Sequence, residues 1–175
     1  MNEAIRLFQE HKFRDNYWVY DTYCMRGYIR TDLEDFAGAI QDLNQALSLV
    51  PKGYRARFLR ARARELNGDL EGAIEDYSEV ILKGQDDAVA FDNRGDLYRQ
   101  QGHLEQALAD YSEAIRLEPS EWLYHYDRGS AYAEKGDIQL AISDYQQALK
   151  HYPDDDLGDT KREMLDFIAD HPDLS

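Results

Sequence analysis

Arg26, Arg60, Arg94 and Arg128 stand 34 residues apart, and sixteen residues after each comes an aspartate: Asp42, Asp76, Asp110 and Asp144. Two chemistries suit four guanidiniums matched to four carboxylates at constant spacing. An arginine left free could bind an anion or serve a catalytic centre. An arginine held by its aspartate is a structural ion pair, and its planar fork can bond a carboxylate and a backbone carbonyl together, which suits Arg better than Lys. Every copy brings its own counter-charge, so the expectation is a repeated ion pair, formed within a repeat or to its neighbour.

Other reactive groups do not assemble into a site. The histidines His11, His103, His125, His151 and His171 show no H-E-x-x-H pattern or close pairing, so no metal centre is expected. Cys24 is the single cysteine, without the His or Asn signature of a thiol enzyme, and reads as a buried or groove-wall thiol. No G-x-x-x-x-G-K-[ST] loop offers a phosphate cradle. Asp154, Asp156 and Gly158 hint at a calcium loop, but the glycine comes too early and Leu165 stands where a closing glutamate belongs. That stretch reads as a solvated acidic linker. The expectation is no catalytic residue and no cofactor.

The elements that must position the arginines share their period. Arg is followed by Gly27, Ala61, Gly95 and Gly129, and twelve residues on by Ala39, Ala73, Ala107 and Ala141. Then come Leu43, Tyr77, Tyr111 and Tyr145, and three later Ala46, Val80, Ala114 and Ala148. Ala107, Tyr111 and Ala114 fall on one helical face, and the small residues allow two antiparallel helices to cross closely. Gly68-Asp69, Gly102-His103 and Gly136-Asp137 mark turns between such helices, while Glu34-Asp35 departs from the pattern. Pro51, Pro119 and Pro153 close three units, with Gln85 in the equivalent place of the other.

This pattern resembles the tetratricopeptide repeat, a helix–turn–helix unit of 34 residues. The resemblance implies an all-α, right-handed α-solenoid of four repeats, 20–53, 54–87, 88–121 and 122–155. One such unit cannot bury both helices' apolar faces, so stacked neighbours complete the core. At the N-terminus, residues 1–19 are expected to hold an orphan capping helix, because "AIRLF" from Ala4 to Phe8 mimics "AIEDY" from Ala73 to Tyr77. Residues 156–175 are expected to hold a closing helix, started by a capping box from Thr160 to Glu163 and ended before Pro172.

In this family the first helices of the repeats line a concave groove that receives a peptide or helix of a partner protein. By helical spacing the groove stripe is Asp21, Cys24, Tyr28 and Asp32, then Arg55, Phe58, Arg62 and Leu66. It continues with Val89, Asp92, Asp96 and Arg99, then Leu123, Tyr126, Ser130 and Glu134. Ten of these are the expected partner-binding set: Asp21, Cys24, Tyr28, Arg55, Phe58, Arg62, Asp92, Asp96, Arg99 and Tyr126. A branch of the family clamps a chaperone's C-terminal carboxylate with Lys, Arg and Asn at set places. In its second placement those places hold Phe58, Arg62, Asn93, Leu123 and Asp127, and only Asn93 matches. The clamp is absent. The run Lys52, Arg55, Arg57, Arg60, Arg62 and Arg64 is split between two helix faces, with Asp92 and Asp96 expected to neutralise it.

Composition narrows the classes further. A hydrophobic content of 43% in 175 residues supports a core, and four prolines leave room for long helices. A net charge of −15 repels phosphate backbones and attracts basic partners, so nucleic-acid binding is not expected. No signal peptide or membrane span is read from the sequence, and the lone cysteine fits a reducing, cytoplasmic compartment. The expected function is a non-enzymatic scaffold binding a protein or peptide partner. Competing readings are self-assembly as a homodimer and a regulatory subunit sensing a small ligand.

Overall fold

The computed structural model describes residues 2–83, 87–153 and 158–172, with side chains described from Asn16 onward. The chain falls into two compact units, Met1–Gly84 and Gln85–Ser175. The first holds α1 (Asn2–Asp32), α2 (Phe36–Leu49), α3 (Tyr54–Leu66) and α4 (Leu70–Leu82). The second holds α5 (Ala88–Gln100), α6 (Leu104–Leu117), α7 (Trp122–Lys135), α8 (Ile138–His151) and α9 (Asp159–Ala169). Helix is the only regular structure among the described residues. The fold is an α-solenoid built from helix–turn–helix repeats.

Each repeat closes on the same small set of contacts. Ala39, Ala73, Ala107 and Ala141 are fully buried, and so are the side chains of Leu43, Tyr77 and Tyr111 that follow them on the second helix. Opposite Tyr111 lies Gly95, where an added Cβ would stand 2.8 Å from the tyrosine ring. The glycine's helix-propensity cost of about 1 kcal/mol therefore secures a close crossing of α5 and α6.

One turn joins the two helices in all four repeats. The chain leaves the first helix through a left-handed residue, with φ of 82° at Gly68, 75° at Gly102 and 88° at Gly136. The amide after it donates back to a carbonyl of the last helical turn: Asp69 to Arg64 at 2.9 Å, His103 to Tyr98 at 2.9 Å, and Asp137 to Tyr132 at 2.9 Å. This is the Schellman closure that glycine favours. The first repeat makes it with Glu34 at φ 61°, and Asp35 donates to Arg30 at 2.8 Å. The departure from glycine leaves the turn intact and loads it with a side chain.

Two expectations about the ends are corrected. α1 runs unbroken from Asn2 to Asp32, so the orphan helix expected within residues 1–19 is not separate from the first helix of the first repeat. No glycine or proline interrupts the sequence between Glu3 and Tyr20, and nothing there stops a helix once started. At the other end Gly158, not Thr160, caps α9, and no side chain caps it. α9 packs on α8 through Met164, which is fully buried, and through Phe167, edge-on to Tyr145 at 5.1 Å between ring centres.

Candidate partner-binding faces of the first helices

The periodic arginines are bound to their aspartates. In each repeat Nε and Nη2 donate to the two carboxylate oxygens: Arg26 to Asp42 at 2.7 and 2.6 Å, and Arg60 to Asp76 at 2.8 and 2.6 Å. Arg94 reaches Asp110 at 2.7 and 2.7 Å, and Arg128 reaches Asp144 at 2.7 and 2.8 Å. The third nitrogen links repeats, since Arg60 Nη1 donates to Asn44 at 2.6 Å and Arg128 Nη1 donates to Ser112 at 3.1 Å. One guanidinium thus fastens the first helix both to its own second helix and to the second helix before it. The bonds from Arg26 outweigh burial and, with the charges of Arg26 and Arg30, hold the Asp42 carboxyl below its ordinary range. At Asp144 burial is the largest influence, but the bonds from Arg128, with the His125 ring 3.6 Å away, outweigh it and keep the carboxyl low.

The residue three before each arginine tunes this pair. Tyr23 lies under the Arg26 guanidinium at 5.4 Å, and Phe91 under Arg94 at 5.8 Å. In the second repeat the same place holds Arg57, 3.9 Å from Asp76. Arg64 adds its own bond to Asp76 at 2.9 Å and a second to the Gly72 carbonyl at 2.9 Å. Asp76 therefore gathers three guanidiniums, while Arg55 pairs with Asp21 at 2.6 Å. Within the first unit, four arginines of the run, Arg55, Arg57, Arg60 and Arg64, are thus met by Asp21 and Asp76. The reason is periodicity: Asp76 belongs to the same repeat as the arginines it meets.

The expected partner-binding residues fall into different environments. In the first unit Tyr28, Arg55 and Arg62 are exposed on α1 and α3, and Asp21 is half-buried in its pair with Arg55. Cys24 is wholly buried among Tyr20, Ala39, Leu43 and Ala56, and burial pushes its thiol up, so it cannot touch a partner as expected. Phe58 is half-buried and edge-on to Tyr77 at 5.5 Å. In the second unit Tyr126 is tied to its own scaffold: it stacks beside Tyr145 at 5.9 Å and donates its hydroxyl to Glu163 of α9 at 3.1 Å.

The acids of α5 and α7 behave differently. Asp92 and Asp127 are each only 6% exposed. Burial, with Asp127, Asp96 and Glu121 nearby, pushes the Asp92 carboxyl up to about 8. Burial, with Asp96 nearby, pushes Asp127 up to about 7. Arg99, the cation beside both, is shared with Asp96 at 3.9 Å and Glu134 at 3.2 Å. Asp96 also accepts the Tyr111 hydroxyl at 2.7 Å. On the same face Val89 and Leu123, one period apart, remain exposed. No grouping of three or more His, Cys, Asp or Glu suited to a metal occurs among the described residues.

A family model for the tetratricopeptide repeat matches residues 24–89 and 93–156. The chain belongs to the tetratricopeptide repeat family. Tetratricopeptide repeat protein 36 of Danio rerio is 35% identical over 79 residues, which is 43% of this chain and 42% of that protein, so the match spans less than half of its relative. Among solved structures, PilF of Pseudomonas aeruginosa is similar with a TM-score of 0.79 at 18% identity, covering 91% of this chain and 72% of that one. MamA of Desulfovibrio magneticus RS-1 gives 0.73 at 18%, covering 89% and 94%. YrrB, described as a TPR protein with an unusual peptide-binding site, gives 0.68 at 16%, covering 86% of each. These likenesses establish the fold.

For a tetratricopeptide repeat chain the informative departure is Asp127, which the expected partner-binding set lacks. Its column reads Met25, Leu59, Asn93 and Asp127. The step from apolar to acidic along that column was the available signal. Its meaning depends on burial against α5, which spacing along one helix does not convey.

Proposed function

We propose that this chain is a non-enzymatic interaction scaffold that seats an extended or helical segment of a partner protein on the faces of its first helices. The α5–α7 face is its principal seat. The observation that carries this reading is the exposed pair Val89 and Leu123 beside the acids Asp92, Asp96 and Asp127. Apolar area next to oriented charge is the composition of a recognition centre. The repeated arginines and aspartates are bound to one another and belong to the scaffold. The net charge of −15 favours a basic partner over nucleic acid. No helix among the described residues is long and apolar enough to cross a membrane.

The test is capture of a partner from native extract by the wild-type chain and by a Val89→Glu, Leu123→Glu double variant of unchanged helicity. A partner held by the wild type and lost by the variant supports the reading. One held equally by both moves recognition off this face.

A second reading, self-assembly as a homodimer, rests on α1. Ile29 is 49% exposed, whereas its equivalents Ala63, Leu97 and Ala131 are fully buried. Trp18 and Met25 are exposed on the same helix. Light scattering of the wild type and of Ile29→Glu decides it: a dimer that the substitution dissolves favours self-assembly, and a monomer in both removes it.

A further inference from the structure

We propose that the carboxylates of Asp92 and Asp127 form a receptor for one cationic side chain, a lysine or arginine of the bound segment. This inference rests on the face reading above and names what that face selects. The geometry that points to it is an incomplete electrostatic site. Asp92 is more than nine-tenths buried, and its Oδ1 has no hydrogen-bond partner. Asp127 is equally buried on the adjacent helix α7. The groups that act on Asp92 are Asp96 and Arg99 from its own helix, Asp127 and the buried Tyr124 from α7, and Glu121 at the start of α7. Arg99 is the cation among them, and Asp96 and Glu134 already share it.

A buried carboxylate oxygen without a donor is costly, and the cost is relieved by a proton or by a cation that brings hydrogen bonds. A divalent metal is a poor fit, because no cluster of three or more ligating side chains is present among the described residues. An ammonium or guanidinium requires less: two acceptors and an apolar rest for its stem. Val89 lies three residues before Asp92 and Leu123 four before Asp127, so each sits on the same helix face as its acid, and both are exposed. A long basic side chain laid across them would bury its methylenes and deliver its charge to the acids.

The raised carboxyls give this receptor a pH signature. With Asp92 up at about 8 and Asp127 at about 7, an arriving cation must displace a proton at lower pH. Affinity should therefore rise with pH, about tenfold per unit between pH 6 and 7 for one displaced proton, and level off above about 8. General attraction of a negatively charged surface would also draw a basic peptide, independently of these two acids. The slope lost on removing Asp92 is therefore the informative quantity.

The experiment uses four acetylated, amidated nonapeptides of identical Gly/Ser/Ala background, carrying two Lys, two Arg, two Glu or two Leu. Their binding to the full chain is followed by fluorescence anisotropy at about 0.15 M salt, where long-range attraction is largely screened. The expected result is binding of the Lys and Arg peptides, weakened at least tenfold by Asp92→Asn and by Asp127→Asn. Glu75→Gln, an exposed acid on α4, should change it less than twofold. The pH slope should flatten in Asp92→Asn. Asparagine is close in shape and carries no buried charge, and the two variants are independent should one fail to fold. Lys and Arg peptides that bind no tighter than the Glu peptide overturn the receptor. Tight binding of the Leu peptide alone, lost in Val89→Glu and indifferent to Asp92→Asn, overturns it while leaving the face reading intact. Lys-peptide binding unchanged in Asp92→Asn, Asp127→Asn and Val89→Glu overturns both.

Discussion

At Arg94 a bidentate bond to Asp110 is made by side chains only 17% and 8% exposed, and the guanidinium lies between the Phe91 and Tyr98 rings at 5.8 and 5.7 Å. Removing either partner strands a charge in a poorly solvated place, so Arg94→Ala or Asp110→Ala should each cost about 3 kcal/mol. The double substitution should cost less than the sum by about 1–3 kcal/mol, read from urea unfolding of the four chains. An additive cycle would deny the coupling. Asp92 makes the opposite case. Its folded carboxyl is raised from an ordinary 3.8 to about 8, so the folded state holds a proton that the unfolded state has released. That favours folding at low pH and is lost as pH rises from about 4 to about 8. Asp92→Asn should therefore gain stability relative to wild type across that window, by at least about 1 kcal/mol at pH 8.5, or about 2–4 °C in Tm. Thermal melts at pH 5 and 8.5 check it, and an equal difference at both would contradict the raised carboxyl. The arginine pairs were legible in the sequence because four copies repeat one residue pair at one spacing. The strained acids were not, because burial against a neighbouring helix leaves no mark on spacing.

Among the elements, the turn at Glu34 shows how a fold carries a locally unfavourable residue. Three repeats use glycine at a positive φ, and the first places a glutamate at φ 61° in an otherwise identical closure. An L-residue in that region costs about 1–2 kcal/mol. Glu34→Gly should return roughly 1 kcal/mol, less the extra backbone entropy glycine brings to the unfolded chain. A stability unchanged or lowered in denaturant melts would show that the glutamate side chain compensates. The closing helix offers a contrast. Tyr126 was expected to anchor a partner, yet its ring lies against Trp122 and Tyr145 and its hydroxyl bonds Glu163 on α9. Tyr126→Ala should lower stability by about 2–3 kcal/mol, whereas Tyr126→Phe should lose under about 1 kcal/mol, since Glu163 is exposed. The helical period revealed which face Tyr126 occupies. It could not reveal that α9 reaches that face, because α9 falls outside the repeat and has no equivalent column to compare.

Across the whole molecule the decisive number is a net charge of −15 on 175 residues. Exposed ion pairs such as Arg55–Asp21 and Arg116–Glu113 offset only part of it, and pairs of that kind are each worth under about 1 kcal/mol. The strong arginine–aspartate pairs balance one another within the scaffold and leave the remaining acids to repel across the surface. Self-repulsion of this kind destabilises the compact state, and salt relieves it. Screening of exposed pairs acts in the other direction, so the sign of the salt effect reports which wins. Surface repulsion extends over many charges, while the arginine–aspartate bonds are short and, except at the half-exposed Arg26, largely shielded from ions. Tm should therefore rise by a few degrees between about 0.01 and 0.15 M sodium chloride, as the screening length falls from about 30 to about 8 Å, and change little beyond. Scanning calorimetry at pH 7.5 over that series is the measurement. A Tm that falls with salt would mean that exposed ion pairs, rather than excess negative charge, govern the surface, and the long-range attraction of this surface for a basic partner would lose its basis.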